Sequence, residues 1–200
     1  MSFLFFDTET TGLPDFRSPV GAEFQPRVIQ IAAILTDDFG KTMTQFCSLV
    51  KLDSGVKVEE KAFQTHGISW EMADKFGLSA VSCLRLMERL ISMADAVVAH
   101  NIKFDDWMMA RESVCCGGAA TSPINKPMVC TQELSSPILN LPPTEKMVAA
   151  GFNKPKPPKL EEAYRHFFGR DIVGAHDAMA DCLACKEVFF AINAPMATSI

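Results

Sequence analysis

Asp7-Thr8-Glu9 places two carboxylates two residues apart at the end of an apolar run, Phe3-Leu4-Phe5-Phe6. On an extended chain such residues project to the same side, and two like charges there repel unless a cation sits between them. A carboxylate at the end of a buried strand also needs a partner. The triplet alone decides little, because composition gives about 0.7 of them by chance in a chain of this length, and the plain alternative is a solvated strand end. His100-Asn101-Ile102-Lys103-Phe104-Asp105-Asp106 repeats the pattern, with an apolar segment giving way to a polar cluster that holds two carboxylates. Here the competing explanation is helix capping, since acids are favoured near a helix N-terminus. In His176-Asp177-Ala178-Met179-Ala180-Asp181 a histidine precedes a helix and an aspartate lies on it five residues later. Asp181 and Cys185 share one face at i, i+4, which puts this carboxylate on or near the apolar side. A lone histidine in such a place is more often a cap or a surface residue than a catalyst.

The elements around these segments must hold them. Phe3 to Phe6 reads as a buried strand ending in Asp7. A turn-rich stretch follows, with Gly12, Pro14, Pro19, Gly21 and Pro26, and then a second strand over Val28 to Leu35. Asp38-Phe39-Gly40-Lys41 looks like a hairpin turn into a third strand, Thr42 to Val50, so these strands suggest an antiparallel meander. Ser79 is placed to cap a helix with apolar positions Cys83, Leu84, Met87, Leu90 and Ile91. Asp95 to His100 reads as a buried strand, followed by a helix from about Phe104 to Val114 that Gly117-Gly118 stops. Met128 to Thr131 is a short strand candidate. Six prolines between 135 and 159 predict an irregular stretch. Two helices, Leu160 to Phe168 and Ala178 to Ile192, precede a loose tail over 195–200. A meander followed by alternating helix and strand predicts an α/β layered sheet, in a single domain over 1–194.

Taken together and in order, Asp7-x-Glu9, His100-Asn101-x-x-Phe104-Asp105 and His176-x4-Asp181 resemble the three exonuclease motifs of the DEDD superfamily. The histidine five residues before the last aspartate is similar to its DEDDh branch, which includes polymerase proofreading exonucleases and RNase T-like enzymes. Phe5-Phe6-Asp7-Thr8-Glu9-Thr10-Thr11-Gly12 matches the first motif closely, and His66-Gly67-Ile68-Ser69 resembles the family's His-Gly-Ile-Thr element. The resemblance spans about 3–190. It implies a ribonuclease H-like α/β fold, a mixed sheet with an antiparallel meander and then parallel strands, flanked by helices. It also implies that Asp7, Glu9, Asp105 and Asp181 hold two divalent cations, Mg²⁺ or Mn²⁺, for which hard oxygen ligands are suited, with Asp105 preferred over its neighbour Asp106. Neutral His176 would act as general base on the attacking water. The implied reaction is 3′–5′ exonucleolytic hydrolysis releasing nucleoside 5′-monophosphates. The backbone around Thr8, Thr10, Thr11, Gly12 and Leu13 would cradle the terminal nucleotide, with Leu13 as an apolar wedge; His66 and Asn101 are further substrate contacts, His66 being equally readable as a structural histidine.

Composition bounds the rest. Apolar residues make up 48% and charged residues 22%, as in an ordinary globular chain, and no apolar run reaches the length of a membrane span. The N-terminus has neither a basic region nor a small-residue cleavage site of a signal peptide. Seven cysteines, an odd number set mostly in apolar stretches, fit a reduced, cytoplasmic protein better than a disulfide framework. Cys182 and Cys185, and the methionines Met87, Met108 and Met109, read as core. A formal charge of −5 gives no support to a broad basic surface, although clustered carboxylates that bind cations lower net charge without excluding nucleic acid. Charge is uneven: residues 151–170 carry a net +3, with Lys154, Lys156 and Lys159 displayed on a proline-stiffened loop. That loop is expected to contact phosphates upstream of the scissile bond; a solvated loop is the alternative. The expected partner is nucleic acid with a free 3′ end, single-stranded DNA first. The competing readings are an exoribonuclease of the RNase T or oligoribonuclease kind, and a non-catalytic binding module on the same fold. With no accessory domain in view, a stand-alone enzyme, a homodimer, or a subunit of a larger replication or repair assembly is expected.

Overall fold

The computed structural model describes residues 1–194; the tail expected over 195–200 lies outside the described residues. The apolar N-terminus forms β1, Ser2–Thr10, and the β-branched run after the turns forms β2, Val28–Asp37. They pair antiparallel, and β2 pairs antiparallel with β3, Thr42–Lys51. The meander expected from the sequence is present. Its tight turn closes on Asp37, whose carboxylate accepts the Phe39 and Lys41 N–H groups at 3.0 and 2.9 Å. β1 runs past Asp7, where it was expected to end, because Thr8 and Glu9 keep pairing with Ile31 and Gln30 of β2.

Two short helices follow, α1 (Glu60–His66) and α2 (Trp70–Phe76). Then come β4 (Leu78–Ser79), α3 (Ala80–Met93) and β5 (Ala96–Ala99). The Ser79 hydroxyl accepts the Ser82 N–H at 3.1 Å and so caps α3, which buries Cys83, Met87, Leu90 and Ile91 as its spacing predicts. The chain continues through α4 (Ile102–Cys115), β6 (Met128–Cys130), α5 (Thr131–Leu139), α6 (Glu145–Ala149), α7 (Leu160–Phe168) and α8 (Ala178–Asn193). The proline-rich stretch is less irregular than expected. Pro137 sits inside α5, where it forfeits one backbone donor near the helix end. The Ser135 and Ser136 hydroxyls bond the Thr131 and Gln132 carbonyls at 2.7 Å each. Thr131, expected to end a strand, begins this helix instead.

The six-stranded sheet has the order β4-β3-β2-β1-β5-β6, with β1–β5, β5–β6 and β3–β4 parallel. β2 is buried on both faces. On one face Leu4, Phe6, Ile31, Ala33 and Val97 pack with Cys83 and Met87 of α3 and Met108 and Met109 of α4. On the other, Phe5, Ala32, Ile34 and Val98 pack with Ala178, Cys182, Cys185 and Phe189 of α8. A buried ion pair locks the start of β2 to the end of α4: Arg27 meets Glu112 through two hydrogen bonds of 2.9 Å, and Glu112 also accepts the Val28 N–H.

Candidate active site

β1 pairs with β5 only over Phe3–Phe5, so Asp7 to Thr10 project beyond the short neighbour. Strand alternation then sets the faces. Asp7 and Glu9 continue the Phe5 face, which α8 covers; Thr8 continues the Leu4 and Phe6 face, towards α4. Asp105, in the first turn of α4, fills the space past β5. Its Oδ1 accepts the Thr8 hydroxyl at 2.7 Å and the Thr8 N–H at 3.1 Å, taking over the backbone donor that β5 is too short to reach. Asp105 is 3% exposed, whereas Asp106 is half-buried; Asp105 is the inward member of the pair.

Asp181 enters from α8 on the opposite face. The helix start is fixed by Asp177, whose carboxylate accepts the Met179 and Ala180 N–H groups at 3.1 and 3.2 Å. Gln30 of β2 anchors that cap, donating to Asp177 at 2.7 Å and accepting the Ala178 N–H at 3.0 Å. Just before it, His176 holds a left-handed backbone at φ 68°, and its N–H bonds the Asp181 carboxylate at 3.2 Å. Asn101, before α4, has φ 66°. Non-glycine residues in this region store about 1–3 kcal/mol and cluster at functional sites; both flank the carboxylates here.

The outcome is a convergence of charge without a counter-ion. Glu9, His176 and Asp181 present ligand atoms all within 4.8 Å of one another. Among the described residues, no lysine or arginine pairs with Asp7, Glu9, Asp105 or Asp181. Burial pushes the Asp7 carboxyl well up, and Asp105, Asp181 and Glu9 push it further. Glu9 rises to about 8, first through burial and then through Asp181 and Asp105. Asp181 rises to about 6 by burial, opposed by the His176 N–H. Asp105 is also raised by burial, against the bonds from Thr8. Four converging carboxylates, Asp105 buried and Asp7, Glu9 and Asp181 half-buried, offer only oxygen donors and no internal cation, and fit a hard divalent metal.

Beside the cluster lies a cleft of about 270 Å³ lined by Thr8, Glu9, Thr10, Gly12, Leu13, Glu59 and His66, with Phe104. Thr11 does not line it: its N–H and hydroxyl are bound to the Arg27 backbone at 2.9 Å each, and it borders the neighbouring cleft. His66 has both ring nitrogens engaged. Nδ1 accepts the Ile68 N–H at 3.0 Å, which leaves Nε2 to donate to the Thr10 carbonyl at 3.1 Å, so the ring also fixes the cleft wall. Asn101 is exposed and makes no capping bond. In the basic loop Lys154 and Lys159 are exposed, but Lys156 pairs with Glu162 at 2.5 Å. His100 and Gln132 both bond the Pro158 carbonyl at 3.0 Å, docking that loop beside the second carboxylate segment.

A model of the exonuclease family described as RNase_T matches residues 4–189. The chain belongs to this exonuclease family. No curated protein matches it. Among solved structures, E. coli exonuclease I in its zinc-bound complex with single-stranded DNA superposes with TM-score 0.74 at 19% identity, over 98% of this chain and 41% of that one. The same enzyme with a dA16 oligonucleotide gives 0.75 at 20% identity, again over 98% and 41%. A moderately thermophilic exonuclease I from Methylocaldum szegediense gives 0.73 at 22%, with the same coverage. The chain thus spans about two fifths of the length of the structures it matches, and the ribonuclease H-like mixed sheet expected from the sequence is the fold they share.

Membership also frames what sequence reasoning missed. Glu161, from the first turn of α7, lies 3.4 Å from His176 Nε2. Glu59 packs on Gly12, where a Cβ would meet its carboxyl carbon at 2.5 Å. Gln30 sits inside an apolar strand as its only polar side chain before Thr36, and that break in pattern was the available signal. Glu59 and Glu161 carry none, since each is one of two adjacent glutamates near a helix start.

Proposed function

We propose that this exonuclease acts in the 3′–5′ direction on single-stranded DNA, uses two divalent cations, Mg²⁺ or Mn²⁺, and releases nucleoside 5′-monophosphates. The observation that carries the reading is the convergence of Asp7, Glu9, Asp105 and Asp181, with His176, at the end of β1 beside a cleft of nucleotide size. The four carboxylates would hold the ions, which when bound supply charge neutralisation at the phosphate and a more acidic water. Glu9, Asp7 and Asp105 enter through strand and helix backbone that is fixed by pairing, so the acids are preorganised. His176 stands at the solvent edge with its ring directed to Glu161, a partner able to stabilise the charge gained when the imidazole takes a proton from water. The cleft wall from Thr8 to Leu13 receives the terminal nucleotide, and Leu13, 81% exposed, stands at its rim. Lys154 and Lys159 reach upstream phosphates, giving position without base readout.

No helix among the described residues is long and apolar enough to cross a membrane. All seven cysteines are unpaired, which supports a reducing, cytoplasmic setting, where a homodimer or a replication or repair assembly would be its context. The test uses oligonucleotides labelled at the 5′ end, as matched DNA and RNA, single- and double-stranded, with Mg²⁺ or with chelator. The expected result is a ladder shortening from the 3′ end of single-stranded DNA only with metal. Preferential digestion of RNA would move the enzyme to the exoribonuclease reading, and no digestion under any condition would leave a binding module.

A further inference from the structure

The loop between β1 and β2 does not stand free. Arg111 of α4 donates to the Val20 and Gln25 carbonyls at 3.2 and 3.4 Å. Gln25 in turn is bonded to the Asp15 backbone at both ends of its amide, at 3.0 and 2.8 Å. The Asp15 carboxylate accepts the Arg17 N–H and the Ser18 hydroxyl at 3.0 and 2.7 Å. This bracing lays Phe16 on Trp107 of α4, with ring centroids 5.6 Å apart and planes at 77°. Phe16 nevertheless keeps 59% of its surface in solvent and Leu13 keeps 81%. A rigid loop that holds large apolar side chains out in water, beside a catalytic cleft, marks a binding surface.

The surface is continuous with the cleft. Phe104 lines the cleft together with Leu13, and Trp107 lies one turn further along the same face of α4. We propose that Phe16 and Trp107, entered past Leu13, form a stacking platform for the unpaired bases just 5′ of the terminal nucleotide. The identity of that ligand rests on the exonuclease reading above. Base–aromatic stacking is sequence-tolerant and needs an exposed π-face, which a paired strand keeps covered; the platform therefore selects unpaired 3′ ends. It also explains how a chain of net charge −5 grips a polyanion, since stacking supplies affinity that the overall field does not.

The experiment follows tryptophan fluorescence with Ca²⁺ replacing Mg²⁺, titrating thymidine 5′-monophosphate and oligothymidylates of two, four and eight nucleotides. Wild-type protein is expected to show quenching by the longer strands, and Trp107→Phe to lose that quenching while binding them nearly as well. Phe16→Ala, a change at an exposed side chain verified by its melting curve, is expected to weaken binding of the longer strands about 10-fold, the size of one lost stack. Its affinity for the mononucleotide should stay unchanged. Equal affinity of Phe16→Ala and wild type for eight nucleotides, or quenching that survives in Trp107→Phe, overturns the platform. Strands that bind and quench but are never cleaved in Mg²⁺ would overturn the exonuclease reading and leave the platform standing.

Discussion

Asp7 and Asp181 reach the same site from β1 and α8, so neutralising either tests the cluster rather than one element. Asp7→Asn or Asp181→Asn is expected to abolish nuclease activity in Mg²⁺ while the circular dichroism spectrum stays native. Without metal the Asp7→Asn protein should melt higher than wild type, because burial and four neighbouring carboxylates already disfavour its charged form. Near-wild-type turnover in either variant would remove that carboxylate from the metal site. His176 differs in kind: it touches Asp181 through its backbone N–H, and only its ring is free for proton transfer. His176→Ala is therefore expected to lower the rate by about 10²–10⁴, the usual worth of a general base, with metal binding, followed by calorimetry, largely kept. An unchanged rate in this variant would transfer the base role elsewhere.

At the scale of elements, periodicity located what it could see. The meander, α3 and α7 carry apolar residues at the spacing their structure demands, so they were legible; α4, which buries Asp105, Arg111 and Glu112 beside its methionines, and α8 have no such one-sided stripe and were read from the segments that bound them. α1 and α2 were not legible, because α1 buries no side chain and α2 buries only Ala73; α2 is held by its Ser69 cap and by contact with β3, and α1 by the His66 bond to the Thr10 carbonyl, which leaves almost no apolar stripe to read. The four carboxylates and His176 were legible because each ends or begins a patterned element, whereas Glu161 becomes visible only when α7 and the turn before α8 meet. The basic loop shows the limit of charge counting. Lys156 is turned inward to Glu162, where it steadies the start of α7 together with the bond from the Lys159 N–H to Glu162 at 2.8 Å. Replacing Lys154 and Lys159 with Gln is thus expected to flatten the salt dependence of single-strand binding, by up to about 0.7 log units per lost contact. Lys156→Gln should instead lower the melting temperature and change that slope less. Filter binding across a salt series separates the two outcomes, and an unchanged slope in the double variant would return the loop to a solvated role.

At the scale of the whole molecule, the fold concentrates its electrostatic cost at one end of the sheet. In the folded chain Glu9 keeps its proton up to about pH 8, while its ordinary value is 4.5. Between those values the folded state binds more protons than the unfolded state, so stability falls as pH rises. Asp181, raised to about 6, acts in the same direction, as do Asp7 and Asp105. The metal-free protein is therefore expected to lose melting temperature steadily from pH 5 to pH 8, the window these carboxyls span. A divalent cation that binds the converged acids of the folded state, and not the dispersed acids of the unfolded chain, would stabilise by about 2.7 kcal/mol when present at 100 times its dissociation constant. Mg²⁺ or Mn²⁺ is expected to restore the melting temperature most at pH 8, where protons no longer compete, and least at pH 5. Asp7→Asn should flatten the metal-free pH slope and shrink the metal increment together, because both arise from the same repulsion. Thermal unfolding of both proteins at the two pH values, with chelator and with metal, measures all of this. A wild-type slope that the variant reproduces would place the origin of the pH dependence outside the carboxylate cluster.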